Sequence, residues 1–126
     1  MKSVKEMFDL HGKVAIITGG AGLLGKKHAE AIAELGGICF LLDVNDEAGE
    51  KTAMEISETY HTLCMYYHCD ITKEDQLVEV KNTVLEKYDT IDILINNAAI
   101  DPKVKNNAMV NLSRLENFMV DQWNIE

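Results

Sequence analysis

The residues best placed for chemistry are the glycines of Thr18-Gly19-Gly20-Ala21-Gly22-Leu23-Leu24-Gly25. Glycine lets a chain turn sharply and brings bare main-chain N–H groups close to an anion. These glycines follow an unbroken apolar run, Val14-Ala15-Ile16-Ile17, which suits a strand buried on both faces of a parallel sheet. A helical pattern of Leu24, His28, Ala31, Ile32 and Leu35 opens behind them. Strand, glycine turn and helix, in that order, set a pyrophosphate on a helix N-terminus in dinucleotide-binding folds. A ligand-free βα turn would use the same glycines, so a second motif has to separate the two readings. Ile38-Cys-Phe-Leu-Leu42 ends in Asp43, about where a carboxylate accepts the adenosine ribose hydroxyls.

The elements that must position these residues follow from periodicity. Strands are predicted at Val14–Thr18, Ile38–Leu42, Leu63–Tyr67 and Ile91–Ile95. The first helix, near Leu24–Leu35, is closed by Gly36-Gly37. Asn45 caps a second, with Asp46 and Glu47 in its first turn and a stripe of Gly49, Ala53, Ile56 and Tyr60. Thr72 caps a third, with Lys73-Glu74-Asp75 in a near capping box and a stripe of Leu77, Val80, Val84 and Tyr88. Residues 1–12 read as a lead-in ending in the turn His11-Gly12. The order β-α-β-α-β-α-β predicts an α/β fold, a Rossmann-type doubly wound parallel sheet with right-handed crossovers, in a single domain over 1–126. Past Asp101, Lys103, Lys105, Asn106 and Asn107 mark a loop, and Asn111–Phe118 a short helix. Asp121–Glu126 reads as the first turn of another helix, so the chain is expected to be the first part of a longer protein.

Composition narrows the function classes. Of 126 residues, 47% are hydrophobic and 26% charged, the balance of a chain able to build a core. The net charge of −9 argues against nucleic acid or an anionic membrane as partner. The N-terminus has no apolar core of signal-peptide length, and no apolar run is long enough to span a bilayer. Cys39, Cys64 and Cys69 are odd in number and form no C-x-x-C pair, which suits reduced thiols in a cytoplasmic protein. His61, Cys64, His68 and Cys69 have the residue types of a zinc quartet. A strand through Leu63–His68 would splay them onto opposite faces, so no metal is expected.

Four motifs together carry a family likeness: Thr18–Gly25, Asp43, Cys69-Asp70-Ile71 and Asn96-Asn97-Ala98-Ala99. With Leu10-His-Gly-Lys-Val14 leading in, the chain resembles the N-terminal half of a short-chain dehydrogenase/reductase, most clearly from Gly12 to Ile100. The resemblance implies a cofactor site of Thr18, Gly19, Gly22, Leu23, Leu24, Gly25, Asp43, Asp70, Ile71, Asn97, Ala98 and Ala99. Gly19 and Gly25 would shape the pyrophosphate turn, and Asp43 would take the ribose hydroxyls. Asp70 and the backbone of Ile71 would face the adenine ring. Asn96 would stabilise the central sheet, and Ala98 and Ala99 would leave room for a ribose. Asp43 implies NAD rather than NADP, since a carboxylate repels a 2′-phosphate. Structural readings of the same residues exist: Asp70 as a turn cap, Asn96-Asn97 as turn formers, Asp43 as an ordinary strand-end acid.

Two departures bear on substrate. Many members read T-G-x-x-x-G-x-G, whereas here Leu23 holds the sixth position and the glycine stands at Gly22. That spacing resembles the extended branch of nucleotide-sugar epimerases and dehydratases. It also resembles reductases of surface-glycan and flagellin modification, which implies a sugar-like substrate. Asn96-Asn97-Ala98-Ala99 resembles the single-domain reductases instead. Hydride transfer needs a placed proton donor and acceptor, for which the family implies a Tyr-x-x-x-Lys pair. Four residues after Tyr60, Tyr66, Tyr67 and Tyr88 stand Cys64, Asp70, Ile71 and Asp92, so no catalytic residue is assigned. The leading expectation is an NAD-dependent oxidoreductase acting on a small-molecule alcohol or carbonyl, homo-oligomeric at full length, with this chain as its cofactor-binding half. The alternatives are an extended-branch epimerase or dehydratase, and a non-catalytic dinucleotide-binding protein.

Overall fold

The apolar runs form a parallel sheet of β1 (Val14–Thr18), β2 (Ile38–Asp43), β3 (Cys64–His68) and β4 (Ile93–Ile95), ordered β3-β2-β1-β4. The computed structural model describes residues 1–99; the expected loop and helices after Asp101 lie outside the described residues. β1 is buried along its whole length, as its unbroken apolar run requires. Register runs Val14↔Ile38 to Thr18↔Leu42 on one side of β1 and Ala15↔Ile93 to Ile17↔Ile95 on the other.

Each connection is a helix. α2 (Leu23–Glu34) and α3 (Asp46–Tyr60) cover one sheet face, packing Ala29, Ile32, Ala33, Ala53 and Ile56 on Ala15, Ile17, Cys39 and Leu41. α4 (Glu74–Tyr88) covers the other, packing Val80 and Val84 on Val14, Ile16, Phe40 and Leu42. Phe40 is fully buried there, with ring centroids 5.8 Å from Tyr67 and 5.5 Å from Tyr88. Burying one such ring contributes about 1.5–3 kcal/mol. The chain steps outward from β1 to β3, then crosses back through α4 to lay β4 against the far side of β1. Strand order therefore reverses between β1 and β4, the place where doubly wound sheets open a crevice at their carboxyl ends.

Several sequence expectations shift in the structure. The lead-in contains a short helix, α1 (Val4–Met7), opened by a capping box between Ser3 and Glu6. The buried face of α2 is Gly25, Ala29, Ile32 and Ala33, not the expected stripe of Leu24, His28, Ala31, Ile32 and Leu35, of which Ile32 alone is buried. Gly25 sets that phase, because its bare Cα is pressed against the preceding turn. α4 is not capped by Thr72: that hydroxyl donates to Asp70, and Lys73 stands at the N-cap without a side-chain bond. β3 begins at Cys64, one residue late, and extends through His68. β4 begins at Ile93, not Ile91, because the Asp92 carboxylate takes the Val14 N–H at 2.9 Å.

Candidate functional site at the carboxyl ends of the strands

The turn after β1 is built from glycine backbone. Gly19 has φ +64°, in the left-handed region that favours glycine. A Cβ there would lie 2.9 Å from Ala98 Cα, so the β1 and β4 ends touch backbone to backbone. Gly20 N–H donates to Leu42 O at 3.1 Å, seating the turn on β2. Gly22 N–H donates to Gly19 O at 3.1 Å and stands at the N-cap of α2. The first helical bond is Lys26 N–H to Gly22 O at 3.0 Å, so the N–H groups of Leu23, Leu24 and Gly25 precede it at the open helix end. No side chain caps this end and its first turn holds no acid, whereas α3 and α4 each carry two acids there. Unused amides on a twelve-residue helix beside a glycine turn suit a bound anion. The side chains of Leu23 and Leu24 are exposed around it.

Thr18 and Asn97 lace β1 to β4. The Thr18 hydroxyl donates to Ile95 O at 3.3 Å and accepts from the N–H groups of Asn97 and Ala98, both at 3.0 Å. Asn97 Nδ2 donates to Thr18 O at 3.1 Å and Gly19 O at 3.2 Å. The sheet-stabilising role expected of Asn96 thus belongs to Asn97. The ladder ends at Ile17↔Ile95, which brings Asn97 level with the end of β1 and leaves Asn96 exposed. Ala98 is half-buried against Gly19 and Ala99 is exposed.

Thr18 is 6% exposed, and its hydroxyl uses its proton and two acceptor positions. Thr18→Val keeps the shape and strands two N–H groups and one carbonyl. We expect it to cost about 2–4 kcal/mol in urea unfolding, while Thr18→Ser costs about 1 kcal/mol or less. Equal losses for the two variants would show that packing, not the hydroxyl, holds the strand ends together.

Asp43 closes the site on the β2 side. Its Oδ2 accepts from Ala21 N–H at 3.1 Å, hooking the strand end to the glycine turn. Its Oδ1 accepts from Val44 and Asn45 N–H at 2.8 and 3.1 Å. Its carbonyl accepts from Cys69 N–H at 2.9 Å, which carries the line of contacts on to β3. There Asp70 Oδ1 accepts from the N–H and hydroxyl of Thr72 at 3.0 and 2.7 Å. Those two bonds, the hydroxyl's first, hold its carboxyl below the ordinary carboxylate range. Asp70 N–H donates to Gln76 Oε1 at 2.7 Å, and Ile71 is exposed beside it. The structure therefore brings the turn, Asp43, Asp70 and Asn97-Ala98 to one edge of the sheet. Sequence reasoning missed Gln76 and the group in which Tyr66 and His68 both bond the Asp46 carboxylate. The polar Tyr66 and His68 in an otherwise largely apolar run, Leu63-Cys-Met-Tyr-Tyr-His68, were the available signal. The other residues with zinc-like chemistry are spread apart: Cys64 is buried in the core and His68 is exposed on Asp46. Among the described residues no group of three His, Cys, Asp or Glu side chains is placed to hold a metal, and no helix is long and apolar enough to cross a membrane.

A family model described as short chain dehydrogenase matches residues 13–122. Zerumbone synthase of Zingiber zerumbet is 41% identical over 91 residues, covering 72% of this chain and 33% of that protein. The chain thus spans about a third of the length of that curated relative. An NAD+-bound xylitol dehydrogenase superposes with a TM-score of 0.69 at 35% identity, over 72% of this chain and 35% of that one. The NADPH-dependent 3-quinuclidinone reductase of Rhodotorula rubra superposes at 0.77 with 29% identity, over 98% and 44%.

Proposed function

Because the chain belongs to the short-chain dehydrogenase family, we propose that the protein is an NAD-dependent oxidoreductase acting on an alcohol or carbonyl substrate, and that this chain is its cofactor-binding part. One observation carries the reading: the uncapped, acid-free N-terminus of α2 and the Asp43 carboxylate meet at the glycine turn, through Ala21 N–H, where strand order reverses. A nicotinamide dinucleotide fits that pair, an anion for the amides and a ribose hydroxyl for the acid. When bound, it would supply or accept the hydride.

The chain's own residues hold and orient. The N–H groups of Leu23, Leu24 and Gly25 would bind the pyrophosphate. Asp43 would accept from the ribose, and Asp70, with Ile71, would border the adenine. Thr18 and Asn97 keep the β1 and β4 ends together, and the small Ala98 and Ala99 would leave room for a ribose beside them. Proton transfer at the substrate needs groups this chain does not offer, since no tyrosine in it is followed four residues later by lysine. A polyol is the first substrate to try, supported by the glycine spacing and by the xylitol dehydrogenase neighbour. The three free, buried cysteines suit a reducing cytoplasm, and homo-oligomerisation at full length accompanies the reading.

The test separates binding from turnover. The purified 126-residue chain is expected to oxidise or reduce no alcohol or carbonyl, as followed by NADH absorbance. The full-length protein is expected to bind NADH and turn over. Turnover by the 126-residue chain would overturn the division of labour, and a full-length protein that binds no nicotinamide cofactor would overturn the function.

A further inference from the structure

Asp43 is held by more than the glycine turn. Tyr66 pairs with Leu41 in the register of β3 on β2, and its ring lies against Gly49 of α3. A Cβ on Gly49 would meet that ring at 2.2 Å, so the missing side chain makes room for it. The ring's hydroxyl stands 2.8 Å from Asp43 O and 2.6 Å from Asp46 Oδ1. A phenol has one proton and donates to one of the two at a time. Asp46 Oδ1 has a second partner in His68 Nδ1 at 2.7 Å, whose N–H can supply it and free the phenol proton for Asp43. Among the described residues, Tyr66 is the one side chain that donates to Asp43; its other donors are backbone N–H groups. Burial first, and then the Asp46 carboxylate, push the Tyr66 phenol above its ordinary range, so it remains a donor at neutral pH.

We propose that Tyr66 is a positioning residue for Asp43: its hydroxyl fixes the end of β2 so that the carboxylate faces the adenosine ribose, and thereby contributes to the choice between NAD(H) and NADP(H). The proposal rests on the ribose role proposed for Asp43. A misplacement of about half an ångström in such a carboxylate is enough to loosen a designed or natural site.

The test is Tyr66→Phe in the full-length protein, which keeps the ring on Gly49 and removes only the hydroxyl. NADH affinity is expected to fall about 3- to 10-fold, the range of one hydrogen bond, with NADPH affinity changed less than about twofold. The same substitution made on Asp43→Ala should change neither affinity further, because the group it positions is gone. Equal losses for both cofactors would mark Tyr66 as merely structural and overturn the proposal. So would an unchanged preference in Tyr66→Phe while Asp43→Ala lowers it, or an added loss in the double variant. If Asp43→Ala alone leaves the preference unchanged, the ribose reading fails first and takes this proposal with it.

Discussion

Replacing Asp43 with alanine is expected to abolish a preference for NAD(H) over NADP(H) of about 30- to 1,000-fold, some 2–4 kcal/mol. The Asp43 carboxylate already accepts three N–H groups, from Ala21, Val44 and Asn45. A carboxylate offers about four acceptor positions, so it retains capacity for a ribose hydroxyl. A 2′-phosphate brought beside a carboxylate would meet like-charge repulsion. The nearby lysines of α2 do not offset this. Lys26 Nζ is paired with Glu55 at 2.5 Å and Lys27 Nζ with Glu30 at 2.6 Å, on the sides of α2 and α3. Asp43→Asn separates the two contributions. It retains an acceptor for the turn but removes the charge, so it should lose most of the discrimination with less damage to stability than Asp43→Ala. The measurement is a titration of wild type and both variants with NADH and NADPH. A wild type that prefers NADPH, or variants that keep its preference, would take the ribose role away from Asp43.

The layout behind that prediction was largely legible in the sequence, because buried parallel strands leave unbroken apolar runs and helices leave stripes. Val14–Thr18 reads off directly, and Asn45 caps α3 through Ala48 N–H as its position suggests. What stayed hidden was phase and parity. Which face of α2 turns inward depends on where Gly25 meets the turn, a tertiary contact that outweighs the apolar pull of Leu24. Which of two adjacent asparagines laces the strand ends depends on the β1–β4 register, and composition is silent on that. Tyr66 and His68 share one side of β3, two residues apart, but their meeting on Asp46 requires the β2–β3 pairing to bring α3 overhead. The Ser3 and Glu6 capping box is different: its spacing is visible in the sequence, and it opens a helix only one turn long, too short to leave an apolar stripe.

Gly25→Ala is expected to cost about 3 kcal/mol or more and to remove detectable NADH binding. An added Cβ would sit 2.1 Å from Gly19 O, 2.8 Å from Gly20 Cα and 2.9 Å from Gly19 C. All three are backbone atoms, so no side-chain rotation relieves the overlap. Either α2 lifts from the sheet, opening the contacts of Ala29, Ile32 and Ala33, or the turn moves and takes the Ala21 N–H away from Asp43. Both outcomes displace the amides that would hold the pyrophosphate. Gly22→Ala is the matched control within the same turn. Gly22 has φ −79°, open to any residue, and a Cβ there would approach Gly19 O only to 3.3 Å. Its cost should stay near 1 kcal/mol, the loss of a tolerable N-cap residue. Urea unfolding and NADH titration of the two variants read the difference. If Gly25→Ala unfolds with Gly22→Ala and binds NADH as the wild type does, the close contact between helix and turn does not govern this site.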